Sequence, residues 1–179
     1  DFWSAGLRGN AADVAAAVEF VHGHQTLGSG KVFLLGHSEG AYLVAKVAAR
    51  TPGLAGVVLL AGGARPCEEE LRWQAGRIAE GFTGVSAFLT KLRRIALLKA
   101  QAKQIEKIKR STADWFRVQL VVKVNAKWMR EFLDYDPATD LTGITCPVLA
   151  ITGAKDIQVS PDNLEKMRTL VKAPFESHV

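Results

Sequence analysis

The chain is poor in cysteine: of its 179 residues only Cys67 and Cys146 carry a thiol. Two thiols without metal-ligand spacing or a redox motif exclude a disulfide-stapled scaffold and a cysteine-rich zinc module, and they read as buried or reduced side chains. Histidine is scarce too, and no pair among the four stands in a metal-ligand context, so no metal is expected. No apolar run approaches the roughly 18 residues of a membrane-spanning helix. No aromatic platform or nucleic-acid-binding motif accompanies the basic residues, so a nucleic-acid partner is not expected. The sequence opens at Asp1 rather than methionine. A signal peptide therefore stays open, although a cytoplasmic setting is expected.

What is there is material for one modest α/β core with an appendage, 48% of the residues being hydrophobic. An alanine-rich stretch predicts a helix over 10–22, with Asn10 as its N-cap, Asp13 in its first turn, and His22 and His24 beside its end, where a cation suits the dipole. Val32-Phe33-Leu34-Leu35 predicts a strand, and the next nine residues after the turn, from Ala41, predict a helix. LAGVVLLAGG predicts a strand over 54–60 buried on both faces of a parallel sheet, with Gly62 and Gly63 releasing the chain beyond it. Residues 146–152 predict another strand, and Ser160-Pro161 supplies an N-cap and an N1 proline for a helix to about residue 171. Pro174-Phe175-Glu176-Ser177 reads as the start of a last strand. Alternating strands and helices imply an α/β fold with a doubly wound parallel sheet.

Between residues 65 and about 142 the strand signal vanishes. Helices are predicted over 71–80, 85–110 and 113–133, with Ser111-x-x-Asp114 as a capping box and Asp136-Pro137 as the exit. Residues 91–110 carry eight basic side chains and one acid, Glu106, a local charge of +7 against +5 for the whole chain, so the remainder is −2. Leu92, Ile95, Leu98, Ala102, Ile105 and Ile108 form the apolar stripe of that helix. A basic amphipathic helix can rest on an anionic membrane or attract an acidic substrate; a solvated outer face is the commoner role and the expected one.

The chemistry concentrates at Gly36-His37-Ser38-Glu39-Gly40, between the first strand and the helix that follows it. A serine hydroxyl is a poor nucleophile unless its backbone holds it exposed on a sharp strand-to-helix turn, and flanking glycines keep Cβ atoms out of that turn. The helix beginning beside Ser38 aims backbone N–H groups and a positive dipole end at any negative charge that develops there.

GHSEGA after an apolar strand resembles the α/β-hydrolase superfamily, and more narrowly its bacterial esterases and serine-aminopeptidase-like lysophospholipase relatives. Pro147-Val148-Leu149-Ala150-Ile151-Thr152-Gly153-Ala154-Lys155-Asp156 is similar to that family's next-to-last strand, which ends in the triad acid. The resemblance implies Ser38 as nucleophile, Asp156 as acid, the backbone N–H of Glu39 as an oxyanion donor, and Gly36, His37 and Gly40 as the elbow around them. It implies hydrolysis of a small-molecule ester or acyl substrate through an acyl-enzyme, with no cofactor. A serine at the elbow disfavours the dehalogenases and epoxide hydrolases of the fold, whereas thioesters, N-terminal peptide bonds and non-catalytic ligand binding stay open. Residues 65–142 resemble the helical cap that many members insert, which leaves residues 1–64 and 143–179 as a partial core. The cap aromatics Trp73, Trp115, Trp128, Phe82, Phe88, Phe116, Phe132 and Tyr135 either line an acyl pocket or pack the cap itself. His178 falls in the last strand, so the catalytic histidine is expected beyond Val179 and the first strands before Asp1. The 179 residues alone are accordingly expected to be inactive, and their oligomeric state is not legible.

Overall fold

A computed structural model describes residues 2–27, 30–83, 86–118 and 122–179. Helix α1 (Leu7–Gly23) leads to β1 (Phe33–His37), α2 (Glu39–Ala48) and β2 (Gly56–Leu60). Then come α3 (Cys67–Glu80), α4 (Ala87–Arg110), β3 (Trp115–Val118), β4 (Val122–Asn125), α5 (Ala126–Leu133) and α6 (Ala138–Leu141). Strand β5 (Val148–Ile151), α7 (Asn163–Leu170) and β6 (Phe175–His178) follow.

Strands β1, β2, β5 and β6 lie side by side in that order, all parallel. Their register places His37, Leu60, Ile151 and His178 in one row, so the four strands end along one edge of the sheet. Alternation sorts the faces: Leu34, Val57, Leu59, Val148 and Ala150 pack with Val14 of α1, Val44 and Val47 of α2, and Leu164 and Met167 of α7. Each such buried Val or Leu contributes roughly 1.5–3 kcal/mol. On the opposite face Phe33 and Leu35 are 58% and 64% exposed. Among the described residues, the helices packed on this sheet therefore share one face.

The expectation of helix throughout 113–133 is corrected over residues 113–118 and 122–125, residues 119–121 lying outside those described. β3 and β4 pair antiparallel, Trp115 opposite Asn125 and Phe116 opposite Val124. Aromatic and β-branched residues dominate here, and they fit a pleated surface better than a helix, where their χ1 freedom is lost. Ser111-x-x-Asp114 caps nothing: Ser111 ends α4, and the Asp114 carbonyl accepts the N–H groups of Ala126 and Lys127. The helix starts instead at Asn125, whose side-chain oxygen accepts the Trp128 N–H at 2.8 Å. Val85, the expected start of the preceding helix, lies outside the described residues, and Ser86 caps α4.

Two further boundaries move. Helix α1 starts three residues before Asn10, at Leu7, with Gly6 as its N-cap; Glu131 of α5 accepts the Arg8 N–H at 2.8 Å, so the cap comes from another element. Helix α7 starts at Asn163, the hydroxyl of Ser160 accepting the Asp162 N–H at 3.3 Å in the turn before it.

The return of the chain to the main sheet is pinned by a buried carboxylate. Asp140 of α6 accepts Arg50 Nη1 at 2.6 Å, Tyr135 OH at 2.7 Å and Lys46 Nζ at 3.3 Å. Burial alone would raise its carboxyl, but the hydrogen bonds from Tyr135 and Arg50 and the two cationic charges hold it below the usual range. A depressed carboxyl stabilises the fold fully above its unfolded value, near 3.9, and the contribution is lost as pH falls through the folded value. We expect Asp140→Ala to cost about 2 kcal/mol at neutral pH, from lost hydrogen bonds to charged groups. In urea titrations the gap from the parent chain should close as the medium is acidified below the ordinary carboxylate range.

Candidate active site

Ser38 sits between β1 and α2 with φ 54° and ψ −117°. Among the described residues only Ala61, with φ 47°, shares a positive φ without being glycine. Such a backbone costs on the order of 1–3 kcal/mol and persists only where its surroundings fix it. They do so here: the Ser38 N–H donates to the Leu60 carbonyl at 2.9 Å, and its own carbonyl accepts the Ala41 N–H at 3.0 Å. A Cβ on Gly36 would overlap the carbonyl of Gly40, so the strand and the first helical turn approach as only glycine allows. Gly40 is less constrained: beyond its own helix and chain neighbours, a Cβ there would meet nothing within 4 Å. Replacing Gly36 with alanine should therefore cost roughly 3 kcal/mol, the upper end for overpacking, and lower the melting midpoint clearly; Gly40→Ala should not, and melting both variants checks the contrast.

Glu39 is the first residue of α2, so its backbone N–H has no acceptor within that helix. Its side chain turns toward the insertion: Oε1 accepts Trp128 Nε1 at 2.6 Å and Asn10 Nδ2 at 3.2 Å. Trp128 stacks on Phe132 at 5.0 Å, and Phe132 meets Tyr42 edge-on at 5.5 Å. Ser38, Glu39, Tyr42, Trp128 and Phe132 line a cleft of about 260 Å³. Glu70, Leu71 and Gln74 of α3 form another wall, and Gln158 and Val159 close it.

Asp156 lies in the loop that leaves the end of β5, on the same edge of the sheet as Ser38. Its Oδ1 accepts the N–H groups of Gln158 at 2.7 Å and Val159 at 3.0 Å, so the carboxylate shapes the loop that closes the cleft. β2 separates their two strands, a gap of roughly 10 Å, and no hydrogen bond joins Ser38 to Asp156 among the described residues.

No described histidine bridges that gap. His37 ends β1 on the exposed face of the sheet, and His24 accepts the N–H groups of Thr26 and Leu27. His178 ends β6 at the site's edge of the sheet, level with Ile151, and not at the sheet's other end or in its body, the two places a strand just beginning at Phe175 implies. It is nonetheless three strands from β1, roughly 14 Å away, with Nε2 2.7 Å from Glu176 Oε1.

Residues 4–174 match the serine aminopeptidase S33 family of hydrolases. The chain belongs to that family, within the α/β-hydrolases. It is 30% identical over 135 residues to esterase EstD of Thermotoga maritima, an alignment spanning 75% of this chain and 29% of EstD. Est1E of Butyrivibrio proteoclasticus superposes with a TM-score of 0.62 at 15% identity, over 98% of this chain and 61% of Est1E. A lipase-esterase related protein of Clostridium acetobutylicum superposes at 0.54 with 17% identity, over 96% and 66%. The latter two show the fold alone. The chain thus spans under two thirds of the length of each.

Against this family background, some cleft residues were invisible in the sequence. Glu68, Glu69 and Glu70 precede the helix expected from residue 71, yet they form the first turn of α3, and Glu70 is buried, accepting Ser160 N–H at 2.7 Å and Asn163 Nδ2 at 3.0 Å. Asn163 in turn accepts the Ala64 N–H at 2.8 Å, so one network ties the end of β2, α3 and the loop following Asp156. Tyr42 was legible only as a helix residue, and Gly63 leaves room for its hydroxyl. Burial, with the neighbouring Glu70 and Asp136 charges, pushes the Cys67 thiol far up, which leaves it protonated and inert. Of the eight insertion aromatics, Trp128 and Phe132 line the cleft. Phe116 packs beside Ile105 and Ile108, while Tyr135 belongs to the cluster around Tyr42.

Proposed function

We propose that this chain carries the nucleophile and acid of a serine hydrolase that cleaves carboxylic esters through an acyl-enzyme. The backbone of Ser38 carries that reading: a non-glycine residue is held at φ 54° on a strand-to-helix turn that opens into the cleft. Ser38 Oγ attacks the ester carbonyl and the alcohol leaves; water then attacks the acyl-serine and releases the acid. The developing oxyanion is received in part by the Glu39 N–H, at the positive end of α2. Asp156 orients and stabilises an imidazole that takes the Ser38 proton and later activates water. Among the described residues no histidine bonds both groups, and the base in this reading is an imidazole placed between Ser38 and Asp156. Residues 65–142 serve as the cap, α3 and α5 enclosing the acyl group between Leu71, Trp128 and Phe132.

Treatment of the full-length protein with a fluorophosphonate, followed by peptide mapping, tests the assignment. One adduct on the peptide containing Ser38 is expected. Labelling elsewhere, or ester turnover without labelling, would overturn it.

A further inference from the structure

The first half of α4 does not look like a solvated helix. Its second half does bury the stripe expected of it: Ile105 and Ile108 pack with Leu133, Leu71 and Phe116. Arg94 Nη2 donates to the carbonyls of Glu80 and Phe82 at 2.8 and 3.1 Å, and Gln101 Nε2 donates to that of Leu71 at 2.6 Å. These contacts fix one side of the helix against α3 and its exit. On the other side, Phe88, Leu92 and Ile95 stand one helical turn apart and are 69%, 46% and 39% exposed. Leu89 and Leu98 flank them at 56% and 41%. The stripe expected to lie inward therefore splits, and Leu92, Ile95 and Leu98 face out.

Charge accompanies this ridge. From Ala87 to Ile105 the helix holds Lys91, Arg93, Arg94, Lys99 and Lys103 and no acid. Ion pairs of α4 among the described residues lie at its far end, Lys109 with Glu68 and Arg110 with Glu106. At 100° per residue, Lys91 falls on one flank of the ridge, Lys99 and Lys103 fall in line with it, and Arg93 falls about 130° round on the other side, towards the back of the helix. Cations all around an apolar ridge match a surface with negative charge outside and hydrocarbon beneath. A protein groove would instead need an uncharged seam along the helix.

We propose that α4 docks on an anionic lipid surface. The helix lies in the interfacial plane with Phe88, Leu92 and Ile95 among the acyl chains, and Lys91, Arg93, Lys99 and Lys103 extend to the headgroups. Leu71 of α3 packs against α4 and also lines the cleft, so docking brings one wall of the cleft to the lipid. The surface is independent of hydrolysis, and Ser38→Ala should bind as the parent chain does.

The test is flotation of the full chain with vesicles of phosphatidylcholine, with and without phosphatidylserine. Binding is expected only with phosphatidylserine and should weaken as salt is raised. The pair Lys99→Glu and Lys103→Glu should weaken it at least 25-fold, about fivefold for each cation lost. Phe88→Ser with Leu92→Ser should abolish it while circular dichroism stays unchanged, since both side chains are exposed. Lys31→Glu with Lys172→Glu, an equal charge change elsewhere, should bind normally. Equal binding to neutral vesicles, indifference to both α4 double variants, or a dimer dissolved by Leu92→Ser in a chain that ignores vesicles would each overturn the proposal.

Discussion

Ser38→Ala is expected to lower kcat for short p-nitrophenyl esters by about 10⁶-fold in the full-length protein, the scale seen where nucleophile, base and acid act as one unit. The alanine keeps the Cβ that the turn already tolerates and removes only Oγ. Its backbone bonds to Leu60 and Ala41 are untouched, so the melting midpoint should stay within a degree or two of the parent. A large loss of rate without loss of stability separates a nucleophile from a structural turn residue. Undiminished turnover by the variant would remove Ser38 from the chemistry.

Asp156→Asn should lower kcat by about 10⁴-fold with KM little changed. The carboxylate is half-committed already: Oδ1 takes the Gln158 and Val159 N–H groups, which leaves Oδ2 for an incoming ring N–H. An amide with its oxygen toward those backbone groups presents an NH₂ donor to the imidazole and favours the wrong tautomer. Fluorophosphonate labelling of Ser38 should slow in step with kcat, because both need the proton removed. If the variant instead loses solubility or melts early, Asp156 is a loop-shaping residue and another carboxylate must orient the base.

Much of this was legible before any coordinates. Three strands of the main sheet, β1, β2 and β5, announce themselves as apolar runs, and the elbow as a glycine-flanked serine, because burial on a parallel sheet and a tight turn each demand particular residue types; β6, Phe-Glu-Ser-His at the sheet's edge, carries no such run. The hairpin Trp115–Val118 and Val122–Asn125 was lost for a different reason. Ser111-x-x-Asp114 mimics a capping box ahead of 113–133, whereas the β-branched and aromatic composition behind it favours a strand. Glu70 could not be read at all, since its burial depends on Ser160 and Asn163, some ninety residues further along the chain. The split in α4 was equally hidden: periodicity shows where a stripe runs, but the side of the helix that α3 covers decides how much of that stripe is buried.

The dihedral angles of Ser38 also speak to ancestry. A chain selected for thermal endurance alone would drift to glycine at such a position, since a β-carbon there is a standing handicap. A serine occupies that corner here. The constraint is written in the main chain, so it can be sought in distant relatives whose surrounding letters have changed: any protein that keeps a β-carbon at that corner of the same fold invites the question of what it still does.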